Sequence, residues 1–387
     1  MTSLTRRKFL KATALPAMIP MIPGFSNATV GTYRQPVSRV IKFFGDADLL
    51  EPGDYISELH KAHSALAIVR DRYGAGGVVE ALERRFVEIT GKERAIFMPS
   101  GTMANEFAIA VLSQEKTKVF LQETSHVYRD EADAAQSVFQ KRLMPLAKGD
   151  TFFTADQLQS AIESLSADEV FKSGVGAVSI ENPVRRANGC SVPLQEIQKI
   201  SSYCKRNNIR LHLDGARLYI ASAWTGIAVK EYASYFDTVY ISLYKYLGAS
   251  AGAILCGDKD VIDKMPHLMK VHGGAMFGNW TNAAMALYRL NNIENRFKDV
   301  VKRANELVTG LNKLSGCKIE ALAGGTNINH LQLASEVNGK RFQERLNKEH
   351  NIRIPGLNQK NSTYITMNET LLYQSADFVV NAFSKSL

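Results

Sequence analysis

From about residue 40 onward, short runs of β-branched and other apolar residues alternate with stretches that have the spacing of amphipathic helices. This alternation is typical of an α/β domain with a mostly parallel sheet, because parallel strands need long crossover connections. Six runs are predicted to be strands: 95–98, 118–121, 177–180, 210–213, 238–241 and 253–256. The alternation therefore predicts a sheet against which the intervening helices pack.

Helical spacing is clearest in the segments that flank the first predicted strand. Apolar residues recur at intervals of three and four within 78–90, and Gly91 then provides a C-terminal stop. Residues 103–112 are predicted to form the next helix.

The pattern changes after Gly278. A long helix is predicted over 282–314, followed by strand-like segments at 328–333 and 364–367 and by a final helix from Leu371. We therefore predict two domains after the N-terminal segment. The large domain comprises residues 29–280, and the smaller C-terminal α/β domain comprises residues 281–387.

Composition and charge exclude several classes of protein. The chain has 387 residues, of which 45% are hydrophobic and 22% charged, as in ordinary globular proteins. Beyond the N-terminus no apolar run approaches the roughly 20 residues that a membrane-spanning helix needs, which excludes a multi-pass membrane protein. The net charge is +9, but four of these charges lie in the first eleven residues and the other cations are interspersed with acids. We therefore expect no nucleic-acid partner.

The four cysteines are far apart in the sequence and form no C-x-x-C pair. Neither a zinc site nor a disulfide framework is predicted from such spacing. We expect isolated buried thiols.

Residues 1–28 have the organisation of an export signal. Arg6 and Arg7 precede a weakly hydrophobic stretch at 12–25, and residues 26–28 offer a small-x-small cleavage site. The segment resembles a twin-arginine signal, which implies export of the folded protein to the periplasm by the twin-arginine machinery. An uncleaved signal would instead anchor the protein at the membrane. A basic amphipathic helix is the alternative, which three prolines within the segment oppose.

A first chemical motif lies between a predicted strand and a predicted helix. Ser100, Gly101 and Thr102 occupy this turn, where helix N–H groups and the positive end of the helix dipole favour an anion. Gly101 allows close approach of a ligand, and the two hydroxyls add donors. The motif is a candidate phosphate site, although Ser and Thr at such a turn are also common as simple helix caps.

Asp214 and Arg217 follow directly on an apolar strand. Ligands of open α/β sheets bind at the carboxyl ends of the strands, so these side chains are candidates for a binding site. A structural ion pair between Asp214 and Arg217 is the alternative, because a partly buried carboxylate needs a cationic partner.

Lys245 ends another apolar strand, between Tyr244 and Tyr246 and shortly before Gly248. A lysine in such surroundings loses hydration, which lowers its pKa and makes the neutral amine available to react with a carbonyl group. Most lysines lie at the surface, but these neighbours favour a reactive one.

The order of these three motifs is that of a pyridoxal-phosphate enzyme with the aspartate aminotransferase fold. The chain resembles the threonine aldolase and β-eliminating lyase family between about Phe43 and Gly278, with weaker similarity beyond. The resemblance implies an α/β fold with a mostly parallel large domain and a smaller C-terminal domain. It also implies pyridoxal 5'-phosphate as the cofactor, no metal, and a homodimer or homotetramer.

The resemblance assigns Ser100, Gly101 and Thr102 to the cofactor phosphate, where Ser242 would assist. Lys245 would be the lysine that condenses with the cofactor aldehyde.

The cofactor ring would contact three further residues of the matching motifs. His126 would stack on the ring, Asp214 would bond its protonated nitrogen, and Arg217 would face its phenolic oxygen. A lone histidine in a loop is usually a surface residue, so the assignment of His126 rests on the resemblance. Residues 70–74 resemble a loop that the family often contributes across a dimer, and Glu181 begins a segment that is similar to another strand end of its active site.

The chain departs from the family at three places. Phe277 and Thr363 stand where the family usually has arginines, near the cofactor phosphate and at the substrate α-carboxylate, and Gly45-Asp46-Ala47 replaces Ser-Asp-Thr. A hydroxyl cannot replace a bidentate arginine contact with a carboxylate. Arg353 or Lys360 could supply the missing charge.

The resemblance implies a lyase that cleaves the Cα–Cβ bond of a threonine-like β-hydroxy amino acid to glycine and an aldehyde. Two alternatives remain open from the sequence. One is another pyridoxal-phosphate reaction, such as β-elimination, transamination or tailoring of an exported metabolite. The other is a non-catalytic binding protein that retains the fold.

Overall fold

Seven strands form the central sheet of the computed structural model, which describes residues 39–387. They are β2 (Arg94–Met98), β3 (Lys118–Gln122), β4 (Arg142–Leu146), β5 (Val175–Glu181), β6 (Arg210–Asp214), β7 (Thr238–Ser242) and β8 (Ala253–Gly257). Their order across the sheet is β2-β8-β7-β6-β5-β3-β4. Strand β8 is antiparallel to both of its neighbours, and the other pairs are parallel. All six predicted strands are present, so the predicted α/β fold with a mostly parallel sheet is confirmed.

Strand β4 is absent from the prediction. It lies at the edge of the sheet and contains Pro145, which opposes Leu121 of β3. Proline cannot donate to a neighbouring strand and is tolerated at an edge, so its presence weakened the strand signal in the sequence.

Helices connect the strands of this sheet, and further helices follow it in the C-terminal part of the chain. Their bounds are Pro52–Ala65, Gly77–Thr90, Gly101–Ser113, His126–Arg129, Ala134–Phe139, Ala155–Asp168, Leu194–Arg206, Leu218–Thr225, Val229–Ser234, Lys259–Ile262, Met265–Val271, Trp280–Leu290, Ile293–Leu311, Gly339–His350 and Ala376–Ser386. The two helices predicted near the first strand are confirmed, and Gly91 ends the earlier one in a left-handed conformation with φ of 67°.

The single long helix predicted over 282–314 is wrong. Two helices, Trp280–Leu290 and Ile293–Leu311, take its place, and Asn292 between them adopts a left-handed conformation with φ of 62°. Asparagine tolerates this conformation better than most residues, so the chain breaks there although the apolar spacing continues.

The final helix begins later than predicted. Residues Glu369–Tyr373 form a 3₁₀ turn, and the helix Ala376–Ser386 starts after Ser375. The Ser375 hydroxyl accepts a hydrogen bond from the Phe378 N–H at 3.1 Å and so caps the helix.

A second sheet has the order β12-β10-β9, comprising Ser362–Thr366, Ile328–Leu333 and Cys317–Ala321, all antiparallel. It has its own hydrophobic core, to which Ile41 and Phe43 also belong. Strand β1 (Ile41–Lys42) pairs in parallel with β11 (Ile352–Arg353), so the start of the described chain packs against its C-terminal part. The predicted domain boundaries at residues 28 and 280 stay predictions.

The predicted export signal, residues 1–28, lies outside the described residues. Within residues 39–387 no helix is both long and apolar enough to span a bilayer. The four cysteines are free, as predicted, and Cys204, Cys256 and Cys317 are buried.

Candidate active site

A cavity of about 300 Å³ lies at the carboxyl ends of the parallel strands. This is the edge at which an open α/β sheet binds ligands. The cavity is lined by Pro99, Ser100, Gly101, Thr102, His126, Glu131, Glu181, Asp214, Ala216, Arg217, Tyr240, Tyr244, Lys245, Ser250, Ala251 and Gly252. The three motifs found in the sequence therefore meet around one space.

One wall of the cavity is the N-terminus of the helix Gly101–Ser113. Ser100 caps this helix, because its hydroxyl accepts a hydrogen bond from the Met103 N–H at 3.2 Å. The first N–H groups of a helix have no acceptor within it, and the helix dipole adds positive potential there. Ser100 is thus both a cap and part of a potential anion site.

Gly101 is required by close packing. A Cβ atom at this position would lie 2.6 Å from the Tyr240 Cζ, and Tyr240 is a buried residue of β7. Only glycine therefore fits between the helix N-terminus and the Tyr240 ring, beside the cavity where a ligand phosphate could approach the backbone.

The loop before β8 completes this wall. Asn282 Oδ1 accepts hydrogen bonds from the Ser250 N–H at 3.1 Å, the Ser250 hydroxyl at 2.8 Å and the Ala251 N–H at 3.1 Å. Asn282 belongs to the helix Trp280–Leu290, which therefore fixes the loop against the cavity.

Asp214 lies at the end of β6 with only 2% of its surface exposed. Its Oδ1 accepts a hydrogen bond from the Ala216 N–H at 3.2 Å, and its Oδ2 accepts one from Asn105 Nδ2 at 3.0 Å. These contacts orient a carboxylate in the cavity, where it can bond a cationic ring nitrogen.

His126 begins a short helical turn at the cavity wall. Its Nδ1 lies 2.9 Å from Glu131 Oε1, and this hydrogen bond raises the pKa of the imidazole. Glu131 is buried, and burial raises the pKa of its carboxyl group. The pair fixes the orientation of the His126 ring while leaving it partly exposed to the cavity.

Glu181 is a further buried carboxyl group in the cavity. Its Oε2 accepts a hydrogen bond from the His126 N–H at 2.6 Å, and its Oε1 accepts one from the Arg185 N–H at 2.8 Å. Burial and the neighbouring charge of Asp214 raise the pKa of Glu181 to about 7. Glu181 therefore connects two loops and can gain or lose a proton near neutral pH.

Arg217 forms its ion pair with Asp46 and not with Asp214. The Arg217 Nε donates to Asp46 Oδ1 at 2.7 Å. The alternative of an Asp214–Arg217 ion pair is therefore wrong, because the guanidinium turns toward a different carboxylate.

Lys245 lies at the cavity in the loop after β7. Burial and the nearby positive charge of Arg217 lower the pKa of its ammonium group to about 8. At pH 7 roughly one amine in ten is then neutral, which gives a nucleophile that an exposed lysine would not provide.

Ser242 is fully buried. It is not among the described residues that line the cavity. Its predicted role at a phosphate stays a prediction. Phe277 and Thr363 also lie outside the lining. Phe277 is 59% exposed and packs edge-to-face on Tyr73 with 5.4 Å between ring centroids.

Arg353 and Lys360, suggested in place of the arginine that would bind the substrate carboxylate, do not line the central cavity. Arg353 lies beside a separate surface cavity and donates from Nε to Asn347 Oδ1 at 3.0 Å. Lys360 is exposed and, within residues 39–387, is not part of the lining of the central cavity. Arg217 and Lys245 are the cations that line that cavity in the described chain.

These residues fit pyridoxal phosphate. The Gly101 cradle and the helix N-terminus suit the phosphate, the buried Asp214 suits a protonated ring nitrogen, and Lys245 suits the aldehyde. The fold and the site together define the class of pyridoxal-phosphate enzymes with the aspartate aminotransferase fold. Serine palmitoyltransferases and aminotransferases of low sequence identity share this fold.

The chain belongs to the beta-eliminating lyase family, whose model matches residues 56–334. It is 36% identical over 212 residues to the low-specificity L-threonine aldolase of Candida albicans, which covers 54% of this chain and 56% of that protein. It is 35% identical over 196 residues to the alanine racemase TOXG of Cochliobolus carbonum, which covers 50% of this chain and 49% of that protein. The chain thus spans about half the length of these curated relatives.

Among solved structures, the chain is similar to a candidate L-allo-threonine aldolase of Listeria monocytogenes. The TM-score is 0.74 at 25% sequence identity, and the match covers 90% of this chain and 97% of that one.

Sequence reasoning missed several residues of the site. Asn105 donates hydrogen bonds to Glu131 and Asp214. Ser250, in the loop after β7, lines the cavity. A signal for Asn105 was available, because it is a polar residue in the mostly apolar helix Gly101–Ser113, where it is fully buried. Buried polar side chains need hydrogen-bond partners, and here the partners, Asp214 and Glu131, both line the cavity.

Proposed function

We propose that this protein is a pyridoxal-phosphate-dependent lyase that cleaves a threonine-like β-hydroxy amino acid to glycine and an aldehyde. The observation that carries the proposal is the convergence of Lys245, Asp214 and His126 on one cavity beside the helix N-terminus at Gly101. The similarity to low-specificity L-threonine aldolases supports the choice of substrate class.

The chain's own residues would hold the cofactor at both ends. The helix N-terminus at Gly101, with the hydroxyls of Ser100 and Thr102, binds the phosphate, and Asp214 keeps the ring nitrogen protonated. When bound, the cofactor supplies an electron-poor ring that stabilises negative charge at the substrate α-carbon. Lys245 would provide the neutral amine that condenses with the aldehyde group of the cofactor.

Cleavage of the Cα–Cβ bond requires that the β-hydroxyl group lose its proton. His126 and Glu181 both line the cavity, and burial raises the pKa of Glu181 to about 7. We propose that His126 and Glu181 accept the proton of the β-hydroxyl group, because a group that titrates near neutral pH is suited to general base catalysis. E181Q and H126N should each lower kcat for cleavage, and a kcat that neither substitution lowers would contradict this assignment.

The test is an assay of glycine and aldehyde formation from L-threonine, L-allo-threonine and phenylserine with added cofactor. The matched blank is K245A, which lacks the amine. Aldehyde produced by the native protein and not by K245A would support the proposal. If the native protein takes up the cofactor and forms no aldehyde from any β-hydroxy amino acid, the proposed cleavage is wrong.

The similarity to an alanine racemase favours a second candidate function, which is reversible removal of the α-proton of an amino acid. The same cavity residues would serve it, because both reactions place negative charge at the α-carbon. Exchange of the α-proton of L-alanine in D₂O, followed by chiral chromatography, distinguishes this reaction from aldol cleavage. β-Elimination and transamination would instead release ammonia or a keto acid.

We also propose that the protein functions as a homodimer in which the loop 70–74 lies at the interface. Tyr73 and Phe277 are 53% and 59% exposed and pack against each other, which is an unusual amount of aromatic surface to leave in water. Asp71 fixes this pair, because its carboxylate accepts hydrogen bonds from the Asn279 N–H at 2.7 Å and the Gly74 N–H at 2.9 Å. F277S should weaken the dimer in analytical ultracentrifugation, and an unchanged mass distribution would count against this interface.

For localisation, we propose export to the periplasm by the twin-arginine machinery. The consecutive Arg6 and Arg7, the apolar stretch that follows and the small residues at 26–28 support it. Replacement of both arginines by lysine should leave the protein in the cytoplasmic fraction. N-terminal sequencing of the exported form would distinguish a cleaved signal from a membrane anchor.

A further inference from the structure

A continuous hydrogen-bonded chain runs behind the candidate cofactor site. Thr238 Oγ1 lies 2.8 Å from His212 Nδ1, and His212 Nε2 lies 3.0 Å from Asn105 Oδ1. Asn105 Nδ2 then lies 3.0 Å from Asp214 Oδ2 and 2.8 Å from Glu131 Oε1. The hydrogen-bonded chain therefore ends on Asp214, the candidate partner of the ring nitrogen, and on Glu131, which orients His126.

The carboxylates determine the direction of these hydrogen bonds. An amide group has two N–H donors and one oxygen acceptor, and Asp214 and Glu131 as carboxylates only accept. The NH₂ group of Asn105 must therefore face them, since the opposite orientation would place its oxygen against two other oxygens. The amide oxygen of Asn105 consequently faces His212, and only a donating nitrogen can satisfy it.

His212 is thereby fixed in one tautomer. Its Nε2–H donates to Asn105 Oδ1, so its Nδ1 is an acceptor for the Thr238 hydroxyl. His212 is fully buried, and burial lowers its pKa to about 4 although the charge of Asp214 acts in the opposite direction. The ring is thus neutral across the pH range in which the cavity residues titrate.

We propose that His212 is a positioning residue that holds the Asn105 amide in the orientation that donates to Asp214 and Glu131 at once. Without a donor at His212, the Asn105 oxygen would be a buried acceptor without a partner, and the amide would be held from one side only. A displaced amide would weaken its hydrogen bonds to both carboxylates. This inference rests on the proposed function, because it assumes that Asp214 and His126 bind pyridoxal phosphate.

The effect should appear in the binding of the cofactor rather than in the chemistry alone. A hydrogen bond to a charged group contributes more free energy than one between neutral groups. Loss of the Asn105 contact to Asp214 should therefore weaken cofactor binding about tenfold.

Two amide variants of His212 provide a matched comparison. In H212Q the side-chain NH₂ can replace the Nε2–H and reach Asn105, whereas in H212N the amide is one carbon shorter and does not reach. We expect H212Q to bind pyridoxal phosphate within about twofold of the native apoprotein and H212N to bind about tenfold more weakly. Circular dichroism and thermal unfolding show which variants are folded, and only those variants are compared.

Thr238 provides a second comparison in case both His212 variants fold poorly. T238V removes the hydroxyl donor with little change of shape, and T238S keeps it. T238V should keep the Nε2–H tautomer of His212, because Asn105 Oδ1 still accepts from it. The variant should bind the cofactor about threefold more weakly, because His212 Nδ1 loses its donor, and T238S should behave as the native protein.

The direct measurement is ¹⁵N NMR of histidine-labelled apoprotein, with the His212 resonances identified by their loss in H212Q. The proposal is supported by an Nε2–H tautomer in the native protein together with the expected order of affinities. It is overturned by an Nδ1–H tautomer, or by folded H212N and T238V that bind the cofactor as the native protein does. A native protein that takes up no pyridoxal phosphate would overturn the proposed function instead, and the tautomer would then decide whether the hydrogen-bonded chain exists.

Discussion

The Arg217 guanidinium donates a hydrogen bond to the Asp46 carboxylate over 2.7 Å, although 171 residues separate them in the chain. Arg217 lines the cavity, whereas Asp46 belongs to the segment that enters the core of the C-terminal part through Phe43. The ion pair therefore connects the site to the start of the described chain. Its charges also act on Lys245, because Arg217 lowers the pKa of that ammonium group and Asp46 raises it.

The reaction of Lys245 with pyridoxal phosphate should depend on pH with a midpoint near 8. The pKa of Lys245 is lowered to about 8, so the neutral amine increases about tenfold per pH unit below this value and is nearly constant above it. The measurement is the rate at which the apoprotein acquires a visible absorption band that borohydride removes. K245A should show no such band, and a midpoint near the pKa of an exposed lysine would contradict a buried amine.

The variant D46N should move this midpoint to lower pH. Removal of the Asp46 charge leaves the positive charge of Arg217 without its partner, and both changes disfavour the protonated form of Lys245. The matched control is D48N, because Asp48 pairs with Lys42 at 2.7 Å in the same segment but lies outside the described cavity lining. Equal midpoints in D46N and the native protein would show that the ion pair does not act on Lys245.

The variant E131Q should lower the pKa of His126. In the native protein the hydrogen bond with Glu131 raises this pKa, because a carboxylate stabilises the imidazolium form. The His126 imidazole of E131Q should therefore lose its proton at lower pH in an NMR titration. E123Q is the control, since Glu123 pairs with Arg129 in the same loop and not with His126. A His126 titration that is the same in E131Q and the native protein would rule out this coupling.

The variant G101A should weaken cofactor binding and lower the stability of the protein. Its Cβ would lie 2.6 Å from the Tyr240 Cζ, and overpacking of this kind typically costs about 1–3 kcal/mol. Thermal unfolding and titration with pyridoxal phosphate measure the two effects. G53A is the control, because no atom lies within 4 Å of the added Cβ and Gly53 lies in the helix Pro52–Ala65. If G101A matches G53A in both measurements, the close approach at Gly101 has no consequence.

Local patterns predicted the central sheet and the main motifs well. Six strands and the helices at Gly77–Thr90 and Gly101–Ser113 follow from apolar spacing, since each element buries one face or lies wholly in the core. The same reasoning failed at Asn292, where the spacing continues but the backbone turns. It also failed at the edge strand β4, where proline masks a strand that needs only one neighbour.

Sequence patterns were sufficient to locate the residues of the site that lie at strand ends. Ser100, Asp214 and Lys245 each follow an apolar run, and parallel strands bring such positions to one edge. The pairing of side chains within the site, in contrast, depends on the folded chain. Arg217 binds Asp46 rather than the adjacent Asp214, and Asn105 joins Glu131 to Asp214, because hydrogen bonds depend on distance and direction in space. For residues far apart in sequence, spacing along the chain gives neither the distance nor the direction between two side chains. These contacts could therefore not be predicted from the sequence.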